Sequence, residues 1–275
     1  MNIQDKNNAA RILGSQRKDD GVTVKTRDEL RLMYEAGQIV GRVHKILRAS
    51  VAPGMTTREL DAIAEREIRA LGGKPAFKGY YGFPGTLCIS VNEEIVHGIP
   101  GNKVVKEGDL VSMDLGAIVG GLYGDAAQTV PVGNVPSELE ALLEAGEASL
   151  HAGIQQVRAG NRIGDISAAV QAEIERRGGY GIVREYVGHG IGRRLHEAPQ
   201  VPNYGQAGRG MALRPGMAVA IEPMVNLGTH ATRVLNDDWT VVTADGKVSV
   251  HFEHTIIVTE DGEPLITTLV EDEAA

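Results

Sequence analysis

Cysteine is nearly missing from this chain. One residue, Cys88, stands among 275, so neither an internal disulfide nor a zinc module built on several thiolates can form. Cys88 also lacks a flanking base in the sequence, which argues against a thiol nucleophile. Basic charge is short as well: 28 Lys and Arg face 36 Asp and Glu, a formal net charge of −8. A partner held mainly through phosphate contacts is therefore excluded, and direct nucleic-acid binding is not expected. No run approaches the roughly 18 apolar residues of a membrane span, and the opening "MNIQDKNNAARILGSQRKDDG" has no signal-peptide core. These shortages describe a cytoplasmic protein without a membrane partner. Residues 1–21 read as a polar flexible tail and 22–275 as one domain, since 42% hydrophobic residues can bury a full core.

What is present is a helical pair used twice. "TRDELRLMYEAGQIVGRVHKIL" opens with Thr26 and Glu29 in capping-box spacing and carries Leu30, Met33, Val40, Val43 and Leu47 at helical intervals. Thr56 and Glu59 start a second helix that Gly72-Gly73 ends. Ser137 and Glu140 then open a helix expected to run to Gly160, and Asp165 is expected to cap another that stops at Gly178-Gly179. Residues 51–73 align on 157–179 without a gap, an offset of 106, and two inserted residues later "GDLVSMD" falls on "GMAVAIE", matching Asp114 to Glu222. The fold class is α+β, with two halves of two helices followed by antiparallel strands.

The chemistry lies in "MDLGAIVGGLYGD". Val111, Met113, Leu115, Ala117 and Val119 alternate as one apolar strand face, and Gly120-Gly121 suits a two-residue hairpin turn. That turn pairs Gly116 with Asp125 and Asp114 with Ala127, so both aspartates share a face with an open space between them at Gly116. Two desolvated carboxylates facing a gap repel unless a cation compensates. For an isolated pair the ordinary reading is solvated hairpin charge, so further residues must decide. "GMAVAIEPMV" sets Glu222 opposite an apolar face, "SVHFEHTIIVT" does the same for Glu253, and "YVGHGIGRRLHEAPQ" places His189 between glycines. Four carboxylates and one imidazole suit two ions that make hydroxide from a bridging water. An oxygen-rich set with one nitrogen favours Mn, Fe, Co or Zn.

With these motifs in their order, joined by "CISVNEEIVHGIP" and "VGHGIGRRLHEAPQVPNYG", residues 24–270 resemble the type I methionine aminopeptidases of the pita-bread fold. The resemblance implies that Asp114 chelates one ion, Asp125 and Glu253 bridge both, and His189 and Glu222 complete the other. It implies removal of the initiator methionine from nascent polypeptides whose second residue is small. A metal-bridging hydroxide would attack, Glu222 handling its proton, His196 polarising the scissile carbonyl and His97 contacting the peptide near the departing nitrogen. Tyr80, Phe83, Cys88, Leu195 and Trp239 would line the methionine pocket. The family's usual substrates imply work near the ribosome, and a monomer is expected. Departures are His251, where glutamine is common, alanines after Asp125, and Leu195, where an aromatic often stands.

Two alternatives share the fold. Proline-specific peptidases of the prolidase and aminopeptidase P type carry an N-terminal domain, for which too few residues precede the first helix, and tend to have Glu-Pro-Gly where this chain has Glu222-Pro223-Met224. A non-catalytic pita-bread binding protein would have broken ligand positions, and all five are intact. "HEAPQ" is no zincin helix, because Gln200 replaces the second histidine and Pro199 interrupts it. "GHGIG" lacks the spacing of a dinucleotide-binding loop.

Overall fold

The computed structural model describes residues 21–270, so the expected tail lies outside the described residues except for Gly21. Helix α1 spans Arg27–Ser50 and α2 spans Thr57–Ala70. Both begin as the spacing requires. The Thr26 hydroxyl accepts the Glu29 N–H at 3.3 Å while Glu29 accepts the Thr26 N–H at 2.8 Å, and Thr56 with Glu59 repeats the pattern at the same distances. Each box satisfies backbone donors that a helix start leaves without partners.

The second pair differs in detail. Helix α3 is Ser137–Ile154, with Pro136 rather than Ser137 at its cap, and it ends well before Gly160 because residues 155–161 turn back through short-range hydrogen bonds. Helix α4 is Ile163–Arg177. Asp165 lies inside its first turn instead of capping it, and reaches back to the N–H groups of Arg162 at 2.7 Å and Gly208 at 2.6 Å.

Fifteen strands are found among the described residues: β1 (Lys74–Pro75), β2 (Leu87–Val91), β3 (Glu94–Val96), β4 (Leu110–Val119), β5 (Leu122–Pro131), β6 (Gly181–Ile182), β7 (Gly188–Gly190), β8 (Glu197–Val201), β9 (Ala218–Ile221), β10 (Met224–Asn226), β11 (Thr232–Val234), β12 (Val241–Thr243), β13 (Ser249–His251), β14 (Glu253–Ile257) and β15 (Leu265–Ile266). Nine of them form one sheet in the order β1-β4-β5-β14-β9-β7-β8, with β2 on β4 and β15 on β14. The two halves meet at the β5–β14 seam.

Hydrogen bonds repeat across that seam with the offsets read in the sequence. Gly54 N–H bonds Val105 O at 2.8 Å and Gly160 N–H bonds Leu213 O at 3.1 Å; Arg58 N–H bonds Gly101 O at 3.0 Å and Gly164 N–H bonds Arg209 O at 2.9 Å. Donors differ by 106 positions and acceptors by 108, the inserted two residues included. The duplication is thus structural.

The hairpin has the expected register. Gly120 and Gly121 turn with φ of 56° and 85°, and Asp114 pairs with Ala127 and Gly116 with Asp125. The space opposite Asp125 is not open, however. A Cβ on Gly116 would stand 2.9 Å from Ala76 Cβ and 3.0 Å from a Phe77 ring carbon, so the segment after β1 fills what the alternation alone left vacant. On the other face Val111, Met113, Leu115 and Ala117 pack with Val40, Val43, Leu47, Leu60 and Ile68 of α1 and α2 in one apolar cluster. Leu142, Leu150, Ile166 and Val170 of α3 and α4 cover Val219, Ile221 and Ile256 in a second. Helix α1 lies directly on β5, where Gly124 permits contact: a Cβ there would be 2.7 Å from Gly37 N. Helices thus seal one sheet face, and the polar residues of the strands collect on the other.

Candidate metal centre

Register places the acidic residues in a row. Asp114 of β4 stands opposite Ala127 of β5, which stands opposite Glu253 of β14. Asp125 sits two residues before Ala127 on the same face. Its N–H donates to Thr255 Oγ1 at 3.1 Å, and that hydroxyl donates back to Asp125 O at 2.8 Å, tying β5 to β14 beside the carboxylate. Glu222 follows β9, its carbonyl held by Asn203 Nδ2 at 2.9 Å. His189 of β7 pairs with Ala220 of β9, which carries the imidazole to Glu222: Nε2 lies 3.6 Å from Glu222 Oε1. His189 Nδ1 is 3.0 Å from Gly190 O, a hydrogen bond that puts the proton on Nδ1 and leaves Nε2 with a free lone pair.

A ligand atom from each of Asp125, His189 and Glu253 lies within 4.8 Å of the others, and all three residues are buried. Asp114 Oδ1, Asp125 Oδ1 and Glu253 Oε1 are buried without a hydrogen-bond partner. Unpaired buried carboxylate oxygens are costly. Burial, with the neighbouring carboxylates, pushes Asp114 and Glu253 well above the usual range and Glu222 up to about 8; burial raises Asp125 to about 7. Burial lowers His189 to about 3, so its ring is neutral. Hard oxygens lacking donors, around one neutral nitrogen, match a divalent cation that would restore the carboxylates to charge.

Beside this cluster lies a cavity of about 270 Å³. Its lining includes every residue expected of the site: Asp114, Asp125, His189, Glu222 and Glu253, His97 and His196, and Tyr80, Phe83, Cys88, Leu195 and Trp239. The Phe83 and Trp239 rings meet edge to face at 5.1 Å. His97, at φ 61°, stacks its ring edge-on to Tyr186 at 5.7 Å, and burial lowers its pKa to about 4. His196 is exposed at the rim, with Nδ1 2.8 Å from the Tyr80 hydroxyl and its ring centroid 4.3 Å from that of His189. Cys88, opposite Asp114, has its thiol pushed up by burial and by the acidic neighbours, so it stays a thiol.

Sequence reasoning passed over Phe77 and Tyr186, which also line the cavity. Tyr186 stands three residues before His189 in "EYVGHG", and this was the available signal. His251 is fully enclosed, Nε2 3.8 Å from Glu222 Oε2 and without a hydrogen-bond partner.

Residues 31–260 match the model of metallopeptidase family M24. Methionine aminopeptidase 1 of Bacillus subtilis (strain 168) is 51% identical over 246 residues, covering 90% of this chain and 99% of its own. The crystal structure of methionine aminopeptidase from Thermotoga maritima superposes with a TM-score of 0.88 at 44% identity, over 90% of this chain and 100% of its own. Prolidase from Pyrococcus furiosus superposes at 0.73 with 22% identity, over 92% of this chain and 67% of its own, a likeness of fold alone.

Proposed function

Because the chain belongs to metallopeptidase family M24 and is a metal-dependent hydrolase that removes N-terminal methionine, we propose that the cluster around Asp125 is where it does so. Asp114, Asp125, His189, Glu222 and Glu253 hold two divalent ions, drawn from Mn, Fe, Co or Zn. The observation that carries this reading is the set of three buried carboxylate oxygens with no donor, gathered beside a neutral histidine whose Nε2 is free. Bound there, the ions supply Lewis acidity and a water acidic enough to attack at neutral pH.

The protein groups do the rest. The methionine side chain enters between Phe83, Trp239, Leu195 and Cys88, an apolar lining suited to a thioether. Tyr80 keeps its proton, since burial raises the phenol, and its hydroxyl lies 2.8 Å from His196 Nδ1; in the tautomer whose Nδ1 accepts from Tyr80, His196 Nε2 carries the N–H that meets the scissile carbonyl oxygen. A Glu222 carboxylate oxygen takes the proton of the attacking water as the O–C bond forms, and delivers it to the amide nitrogen as the C–N bond breaks. His97, neutral and braced by Tyr186, contacts the peptide near that departing nitrogen.

The substrates are nascent polypeptides and peptides with a small second residue, met near the ribosome in the cytoplasm by a monomer whose catalytic domain is residues 22–275. No described helix is long and apolar enough to cross a membrane. The test is release of methionine from Met-Ala-Ser by chelated and metal-restored protein, with prolyl dipeptides as controls. Restored cleavage of the first alone is expected; cleavage of the prolyl peptides instead would overturn the substrate assignment.

A further inference from the structure

The segment that leads into α1 grips the loop that carries His196. Glu197 follows His196 and opens β8, and its side chain is 1% exposed, as is that of Lys25. Both carboxylate oxygens are engaged. Oε1 accepts the N–H of Arg193 at 2.8 Å and of Arg194 at 3.0 Å, which closes residues 193–197 into a turn. Oε2 accepts the Thr23 hydroxyl and the Lys25 ammonium, the latter at 3.1 Å. Lys25 Nζ also lies 3.3 Å from Thr23 O, and Lys25 N–H donates to Gly216 O at 2.8 Å. The Lys25 stem crosses Gly192, where a Cβ would stand 2.1 Å from Lys25 Cε. A second tie joins Arg193 to Glu29 of α1, through Nε at 2.5 Å and Nη2 at 3.0 Å.

The His196 ring is at the exposed rim, where among the described residues it meets the His189 ring at 4.3 Å and the Tyr80 hydroxyl at 2.8 Å. Leu195, one residue earlier, is 3% exposed and lines the methionine pocket. Loop residues 195–197 therefore point one side chain into the substrate pocket, one at its rim and one into the Lys25 contact. A buried ion pair is a weak device for stability, since apolar residues of equal volume commonly do as well. It is a strong device for geometry here, because Lys25 and Thr23 hold Oε2 of the same carboxylate whose Oε1 accepts two backbone N–H groups of the turn. Burial pushes the Glu197 carboxyl up, but the Thr23, Lys25 and Arg194 contacts outweigh it and hold the group charged.

We propose that Thr23, Lys25 and Glu197 form a clamp that positions His196 against the substrate carbonyl. These three are positioning residues, and the inference rests on the role given to His196 above. A displacement of about 1 Å in such a group costs on the order of a hundredfold in rate.

The experiment is steady-state cleavage of Met-Ala-Ser by the full chain at saturating metal, for Lys25→Met, Glu197→Gln, their double variant, His196→Ala, and each clamp variant combined with His196→Ala. Lys25→Met is expected to lower kcat about ten- to a hundredfold with KM little changed, because it leaves a buried carboxylate without its counter-charge and the turn free to shift. The double variant, with no buried charge left, should regain most of that loss, and it carries the test if Lys25→Met alone does not fold. In the His196→Ala background the clamp variants should have no further effect on kcat, since they act through the missing ring. Equal losses in both backgrounds would overturn the clamp, as would a folded Lys25→Met with wild-type kcat. Wild-type kcat in His196→Ala would overturn the reading of His196 itself and the clamp's purpose with it.

Discussion

Removing the metal should make the stability of this protein fall as pH rises. In the metal-free chain Asp125 titrates at about 7 instead of 3.8, and Glu222 at about 8 instead of 4.5. A folded-state pKa above the unfolded one means that the native state holds protons the unfolded chain has released. The contribution of these two carboxyls is therefore full below about pH 4 and declines as pH climbs through the raised values. For Asp125 the window runs from 3.8 to about 7, and three pH units at 1.36 kcal/mol each amount to about 4 kcal/mol. In a domain of this size about 4 kcal/mol corresponds to roughly 10 °C in Tm. Bound divalent ions compensate the carboxylates and remove the slope. Melting curves at about pH 5, 6.5 and 8, with EDTA and with Mn²⁺ or Co²⁺, read the effect directly. The gap between metal-bound and chelated Tm should widen with pH, and Asp125→Asn should flatten the chelated series. A chelated protein equally stable at pH 5 and pH 8 would refute the claim that these carboxyls face one another without compensation.

Other outcomes follow from the same geometry. Glu222→Gln should stay folded yet lose at least about a hundredfold in kcat on Met-Ala-Ser; near-normal turnover would remove Glu222 from proton handling. Met-Gly should be cleaved far faster than Met-Lys, and equal rates would contradict the size limit on the second residue. Gly124→Ala should destabilise by about 2 kcal/mol by urea unfolding, because the added Cβ would meet the backbone of α1, 2.7 Å from Gly37 N and 2.9 Å from Ala36 C. The Arg193 hydrogen bonds hold Glu29 down to about 2. That contribution is present above about pH 4.5 and lost as pH falls toward 2, so the Tm difference between wild type and Glu29→Gln should shrink to nothing across that interval.

Much of the scaffold was legible because it depends on short-range periodicities. The two capping boxes and the Gly120-Gly121 turn each need residues no more than a few positions apart, and the turn then fixes the pairing of Asp114 with Ala127 by counting outward along two strands. The duplication was legible because both halves meet the same packing requirement with similar residues, and the repeated loop hydrogen bonds bear it out. Where local signals ran thin, the reading slipped: Ser137 and Asp165 had cap-like identities, but Pro136 and Arg162 occupy the caps.

The site was legible only as a list of side chains on polar strand faces, to which the family resemblance lent an arrangement. By itself the sequence determined which face each carboxylate leaves from, because alternation along a strand is a property of the backbone. Only the tertiary structure decided that β5 and β14 adjoin, aligning Asp114, Ala127 and Glu253 in one row, that Phe77 fills the space over Gly116, and that Lys25 reaches Glu197 from 172 positions away. Contacts between distant segments depend on which surfaces bury each other when the sheet closes, and no local pattern in the chain encodes that choice.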